Sequence, residues 1–255
     1  MKRAALYVAG RIVIADSHLQ AYESLDEQER NESIASGVFD SETAEFVADL
    51  ARDHFYNKQI ILIRHCQTED ESQTDPALSS DGWEQAWKLS DCLQRMGLDL
   101  SEFSGITSPF LRCLQTCSAL NRNLRKTFRV DPDVMETPTF LREGQNFYVH
   151  NRAILFPDMD WHNTEDWVCG YESREDFKNR IKQVLHNIPE KSIIITHYGL
   201  IKKMVQFATC QEQVERVKMD IPQASITFID RLKVECIGRI CTYENARGCR
   251  CEVES

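Results

Sequence analysis

Arg64 and His65 close a run of apolar residues, Ile60 to Ile63, in the stretch KQIILIRHCQTED. A second run, SIIIT at 192–196, ends in His197. A lone histidine is ordinarily a structural or surface residue. Two imidazoles at the ends of two such runs, one preceded by an arginine, point further, because a guanidinium is a planar fork matched to phosphate or carboxylate oxygens. SPFLR at 108–112 adds Arg112 in the first turns of a helix, where backbone N–H groups and the helix dipole already favour an anion. Two arginines, two imidazoles and a helix start can together hold one doubly charged phosphoryl group.

The elements that must position these groups alternate between strand and helix. KQIILI (58–63) has no helical period and is expected to be a buried strand, whereas SSDGWEQAWKLSDCLQRM (79–96) places Ala86, Leu89 and Leu93 at helical spacing. A short strand GITS (105–108), a helix opening at Ser108 and Pro109, and a strand near TFRV (127–130) follow. After a long polar and aromatic segment, 137–170, come a helix at 173–188, the strand KSIIIT, a helix at 199–210 and a closing hairpin at 224–237. Alternation of this kind predicts an α/β fold, a three-layer αβα sandwich around a mostly parallel sheet. Ligands of such sheets sit beyond the carboxyl ends of the strands, and parallel neighbours would bring His65 and His197 to one edge.

Residues 1–56 are expected to form an N-terminal appendage: a strand pair around 5–15, a charged stretch at 23–33, and a helix at 41–55 capped by Asp40 or Ser41. Residues 57–245 then form the catalytic domain and 246–255 a cysteine-containing tail. With 42% hydrophobic and 27% charged residues the chain has ordinary globular composition. Its net charge of −10 argues against nucleic acid or an anionic membrane as a partner. No apolar run approaches the ~18 residues of a membrane span, and Arg11 splits the only N-terminal apolar patch, so no signal peptide is expected. Ten cysteines without an export signal are expected to be reduced thiols in a cytoplasmic protein. Cys236, Cys241, Cys249 and Cys251 do not have the paired spacing of a zinc ribbon, so no metal is expected there. Cys113 and Cys117 are expected to pack on one helix face.

The motifs, taken in order, resemble those of the histidine phosphatase superfamily, in its phosphoglycerate-mutase-like branch. That family's Arg-His-Gly-x-Thr is matched by Arg64, His65, Cys66, Gln67 and Thr68. Its Leu-x-x-x-Gly-x-x-Gln-Ala is matched by LSSDGWEQA (78–86), its Ser-Pro-x-x-Arg by SPFLRCLQT (108–116), and its Thr-His-Gly-Gly by THYG (196–199). The match covers roughly residues 58–245. The family's acid follows the third motif, and VDPDVMETPTFLREG (130–144) puts Glu136 at that position, with Glu143 as the fallback.

The resemblance implies a histidine acid phosphatase-like hydrolase of phosphoric monoesters that needs no metal or other cofactor. His65 is then the nucleophile, Glu136 the general acid and base, and Arg64, Arg112 and a protonated His197 the positive surround, with Thr68 and Tyr198 also at the phosphate. The expected partner is a small phosphorylated substrate, and the sequence leaves a homo-oligomer open. Cys66 and Tyr198 replace family glycines, and their bulk is expected to narrow the pocket floor. Cys66 is first a packed thiol; a second reading gives it, beside Arg64, a lowered pKa and sensitivity to oxidation. A cysteine phosphatase signature is absent, since position 72 is serine and Cys210–Arg216 encloses Glu212 and Glu215. Two alternatives stay open: a phosphoglycerate mutase or bisphosphatase relative, which the acidic Glu69, Asp70 and Glu71 disfavour, and a non-catalytic module that binds a phosphorylated ligand. Phe147, Tyr148, Trp161 and Trp167 are candidates to wall the substrate pocket, with core packing the expected alternative.

Overall fold

The computed structural model describes residues 2–8, 11–15, 35–40, 58–70, 73–136, 142–162, 166–208, 219–230 and 233–240. Strands β1 (Lys2–Val8) and β2 (Arg11–Ala15) form the expected hairpin. β3 (Ala35–Asp40) pairs antiparallel with the other edge of β1, giving a sheet of order β2-β1-β3. The helix expected at 41–55, the charged stretch before it and the tail 246–255 lie outside the described residues.

The main sheet has seven strands. β4 (Gln59–Arg64) is fully buried at Ile60, Ile61, Leu62 and Ile63. Its alternating side chains explain why the run lacks a polar face: Ile60 and Leu62 enter one core, Ile61 and Ile63 the other. Helices α1 (Ser80–Arg95) and α2 (Leu111–Leu124) cover the second core with Ala86, Leu89, Leu93, Leu114 and Leu120. Between them β5 (Ser104–Thr107) crosses the sheet, and β6 (Phe128–Val130) follows. The segment 137–170, which carries no strong period, contains three short strands. β7 (Asn146–Val149) pairs antiparallel with β9 (Trp167–Gly170), and β8 (Asp160–Trp161) adds an edge to the main sheet beside β6.

Helix α3 (Arg174–Asn187) opens on a capping box in which Ser173 and Asp176 satisfy each other's backbone N–H groups. With α4 (Tyr198–Ala208) it covers the first core through Ile181, Leu185, Leu200, Ile201 and Met204. β10 (Lys191–Thr196) lies between β4 and β5, and β11 (Ser225–Asp230) and β12 (Lys233–Ile240) close the sheet, in the order β12-β11-β4-β10-β5-β6-β8. β4, β10, β5, β6 and β8 are mutually parallel; β11 and β12 are antiparallel to their neighbours. This is the expected three-layer αβα arrangement.

One expectation is corrected. The helix after β5 begins at Leu111, not at Ser108 and Pro109, because the Ser108 N–H continues the sheet ladder to the Ile195 carbonyl at 3.0 Å. Among the described residues Cys66, Cys113, Cys117, Cys169 and Cys236 are free thiols. Among the described residues no helix is long and apolar enough to cross a membrane.

Buried Lys58, just before β4, ties the two halves of the layer together. Its ammonium donates to the carbonyls of Leu185 (2.7 Å), His186 (3.2 Å) and Ile188 (2.7 Å) at the end of α3, where a cation also complements the helix dipole. Lys58→Met keeps the stem but strands those carbonyls, so urea unfolding should show a loss of about 2 kcal/mol. A change under about 0.5 kcal/mol, the usual size for a surface substitution, would mean the carbonyls find other donors.

Candidate active site

The site is assembled by strand register. Thr196 pairs with Arg64 across β10 and β4, and Ile195 pairs with Thr107 across β10 and β5. The next residues, His65 and His197, therefore leave the sheet side by side, and Ser108, level with Thr196, continues β5 beside them. The His65 N–H donates to the Thr196 carbonyl at 3.0 Å, and the imidazole centroids stand 5.4 Å apart.

The motif residues that flank the site hold the His65 loop. The Cys66 N–H donates to Thr116 Oγ1 (3.1 Å), the Gln67 N–H to Gln85 Oε1 (3.0 Å) and the Leu78 N–H to Gln115 Oε1 (2.7 Å). A Cβ on Gly82 would lie 2.0 Å from the Gln67 carbonyl oxygen, so only glycine lets α1 approach the loop this closely. Thr68, three residues past His65, is buried in an antiparallel bridge with Leu78.

The two imidazoles have assignable tautomers. His65 Nδ1 lies 2.9 Å from the Cys66 carbonyl, which can only accept, so Nδ1 carries the proton and Nε2 keeps its lone pair. Arg112 Nη2 can only donate, so His197 Nδ1, 3.3 Å away, accepts, and His197 Nε2 donates to Ser108 Oγ at 2.9 Å. Burial, then Arg112 and Arg64, push the His65 pKa down to about 3, against a raising contribution from the Cys66 carbonyl. Burial, followed by Arg112, His65, Arg64 and Arg180, holds His197 well below the ordinary histidine range. Burial first, and the neighbouring positive charges second, thus oppose the expected protonation of His197.

The arginines are anchored individually. Arg64 Nη1 donates to the Ile221 carbonyl at 2.6 Å, and its guanidinium lies 5.5 Å from the Tyr198 ring centroid. Arg112 is held against Asp75 at 3.5 Å, and its guanidinium lies 4.5 Å from the Phe110 ring centroid. Asp75 also pairs with Arg152 at 2.9 Å and accepts the Leu111 N–H at 2.8 Å. That last bond caps α2, whose own N-cap residue Phe110 supplies no side-chain bond. Nothing in the local sequence marks Asp75 or Arg152, because their partners come from remote segments.

Glu136 reaches the same edge. Its Oε2 accepts the Gly199 N–H at 3.1 Å in the first turn of α4, two residues beyond His197. The fallback Glu143 is exposed in the turn 142–145, with Gly144 at φ 81°.

The two residues in place of family glycines do not fill the pocket as expected. The Cys66 side chain is fully buried in the core beneath α1 and α2, and burial pushes its thiol up to about 12. The expectation of a lowered pKa, and with it the oxidation reading, is overturned because desolvation outweighs the bond from Thr116. Tyr198 packs on the opposite core, with its hydroxyl 3.5 Å from the Met219 carbonyl. Of the aromatic candidates, Trp161 and Trp167 stack on each other (5.8 Å) against the core. Phe147 stacks on Phe110, which in turn meets the edge of His197 at 5.2 Å; Tyr148 faces out.

Residues 60–236 match the model of the histidine phosphatase superfamily (branch 1). The chain belongs to the histidine phosphatase superfamily. No curated protein matches this superfamily member in sequence. Among solved structures it is similar to an open reading frame product of Mycobacterium tuberculosis, with TM-score 0.51 and 17% identity over 73% of this chain and 100% of that one. It is also similar to mycobacterial glucosyl-3-phosphoglycerate phosphatase in complex with inorganic phosphate (TM-score 0.49, 18% identity, 72% and 98% of the two chains). A third likeness is to ecdysone phosphate phosphatase from Bombix mori in complex with tungstate (TM-score 0.49, 15% identity, 67% and 88%). At 17% identity the first of these likenesses speaks for the fold alone.

The buried neutral histidines have a consequence for folding. Below about pH 6.5 imidazoles of the unfolded chain bind protons, while His65 stays neutral in the folded chain until about pH 3. Stability is therefore complete above pH 6.5 and falls with pH across that window, by up to about 1.4 kcal/mol per pH unit for one such group. Urea unfolding of the His65→Gln variant should show a shallower loss between about pH 6 and 4 than the parent. Equal slopes would place His65 in water.

Proposed function

We propose that this superfamily member hydrolyses a phosphomonoester of a small molecule through a phosphohistidine at His65, without a metal ion. The observation that carries this reading is the state of His65: a neutral imidazole whose Nδ1 proton is held on the Cys66 carbonyl, leaving the Nε2 lone pair for phosphorus. Nε2 attacks in line as the bond from phosphorus to the ester oxygen breaks, and Glu136, as the carboxylic acid, gives the departing oxygen its proton. Glu136, now a carboxylate, then takes a proton from water as that water attacks the phosphohistidine, releasing inorganic phosphate and restoring His65.

Charge on the transferring group is spread over three oxygens, so fixed positive groups provide most of the stabilisation. Arg64 and Arg112 supply it directly. A phosphoryl dianion beside Arg112 reverses the field at His197 Nδ1 and favours its protonation, so the third cation forms when the substrate arrives. These groups do for the phosphoryl oxygens what a divalent cation does in metal-dependent phosphatases. The binding-module alternative drew on Cys66 and Tyr198, and both side chains are directed into the cores. The mutase alternative gains nothing from the exposed Glu69 and Asp70 beside the His65 loop.

Hydrolysis of 4-nitrophenyl phosphate in chelator should proceed with the parent and vanish with His65→Ala, and quenching during turnover should trap an acid-labile phosphoprotein. Unchanged turnover in His65→Ala would sink the mechanism. Loss of activity in chelator, restored by a divalent cation, would sink its metal independence. A second outcome tests the acid. A Cβ on Gly199 would lie 2.4 Å from Glu136 Oε1, the movable end of a long side chain. Gly199→Ala should therefore displace the carboxyl at little cost in stability and lower turnover of 4-methoxyphenyl phosphate, whose basic leaving group needs an acid, by about 10 to 100-fold. Full activity at unchanged melting temperature would remove Glu136 from the role.

A further inference from the structure

Three consecutive carbonyls lead the chain into Glu136, and each is held by a side chain from another element. The turn itself is a single 3-10 turn, Pro132–Val134, with weak internal bonds: Val134 N–H to the Asp131 carbonyl at 3.3 Å and Met135 N–H to the Pro132 carbonyl at 3.1 Å. Arg180 Nη1, from α3, donates to the Asp133 carbonyl (2.5 Å) and the Met135 carbonyl (3.1 Å). Thr196 Oγ1, at the end of β10 and adjacent to His197, donates to the Val134 carbonyl between them at 2.7 Å.

The Arg180 fork is itself immobilised. Its Nε and Nη2 grip both oxygens of Glu172 at 2.7 and 2.8 Å, a bidentate pair mostly out of water, with 17% and 16% of the two side chains exposed. Its guanidinium also lies 5.2 Å from the Phe177 ring centroid, one turn earlier on α3. Glu172 just precedes the capping box of α3, so both halves of the clamp ride on one rigid helix whose buried face is set in the core. A guanidinium with its carboxylate-facing edge occupied and its far nitrogen on two main-chain oxygens is a backbone holder rather than a ligand for substrate.

Resting on the phosphatase reading, we propose that Arg180, fixed by Glu172, is a positioning residue for the general acid. With Thr196 it sets the height of the 133–135 backbone, and so the reach of the Glu136 carboxyl toward the departing oxygen. His65, Arg64 and Arg112 are anchored apart from Arg180, through the β4 loop, α2 and Ile221, and Arg180 acts on His197 only as the last of the charges that disfavour its protonation. Loss of the clamp therefore weakens proton delivery while leaving nucleophilic attack in place.

That separation has a kinetic signature which general damage to the fold does not produce. A leaving group that is a weak base departs without help from an acid; a strongly basic one does not. A series of aryl phosphates from 4-nitrophenyl to 4-methoxyphenyl, similar in shape, is assayed for kcat/KM, which reports the step in which the ester oxygen leaves. With Arg180→Gln, 4-nitrophenyl phosphate should stay within about threefold of the parent while 4-methoxyphenyl phosphate falls by about 30-fold or more, a fraction of what a complete acid is worth. Thr196→Val, nearly isosteric, should show the same selective loss to a smaller degree, and it carries the test if Arg180→Gln does not fold. In a Glu136→Gln background the Arg180→Gln change should add no further dependence on the leaving group.

An equal loss across the series, or none, in a folded variant overturns the positioning role. A further steepening on top of Glu136→Gln overturns the route through Glu136. Failure of the phosphatase reading looks different, because the parent would then hydrolyse none of the series or would do so independently of His65.

Discussion

Thr196 faces Arg64 across the β4 and β10 ladder, so the next residue on each strand is a histidine and the two rings come to 5.4 Å. A slip of one residue would send one imidazole into a core, because successive side chains of a strand point to opposite faces. The register is protected by the burial of Ile60 to Ile63 and Ile193 to Ile195, split between two cores that no slip could refill. Everything else in the site is arranged around this pairing: the 65–68 loop is clasped from α1 and α2, and Ser108 continues β5 to meet His197.

Burial and positive charge act together on the histidines. Each alone disfavours an imidazolium, and both operate where His65 and His197 lie almost wholly out of water. The folded chain thus keeps the His65 imidazole neutral across the physiological range. Asp75 tempers the same field, since one carboxylate shared by Arg112 and Arg152 fixes a cation in place and reduces the repulsion of gathering several of them. Using the same carboxylate to cap α2 joins the helix start and Arg112 in one rigid unit.

The substitutions at 66 and 198 show how a site tolerates bulk where small residues are the family habit. Cys66 points away from His65 into the core under α1 and α2, so only its backbone faces the site, and its carbonyl orients the His65 ring. Tyr198 begins α4 with its ring on the other core and beneath Arg64, where it adds a platform rather than an obstruction. Gly199 is the position that could not change in the same way, because the Glu136 carboxyl occupies the space of its missing Cβ.

Much of this was legible in the linear chain. Uninterrupted apolar runs of four and three residues, helical spacing in 79–96 and strand-helix alternation determined the sheet, its layers and the edge on which Arg64, His65 and His197 emerge, because burial on both faces leaves its own pattern. Glu136 was singled out among the carboxylates by the resemblance to the family's motifs, not by spacing alone. Tertiary structure decided the rest. The short strands β7 to β9 are half exposed and carry too little period to announce themselves. The neutral state of His197, the high pKa of Cys66, and the partnerships of Asp75 and Arg180 depend on groups tens of residues away in the chain. Desolvation and Coulomb interaction are set by distance in space, and no local pattern of residue types encodes them.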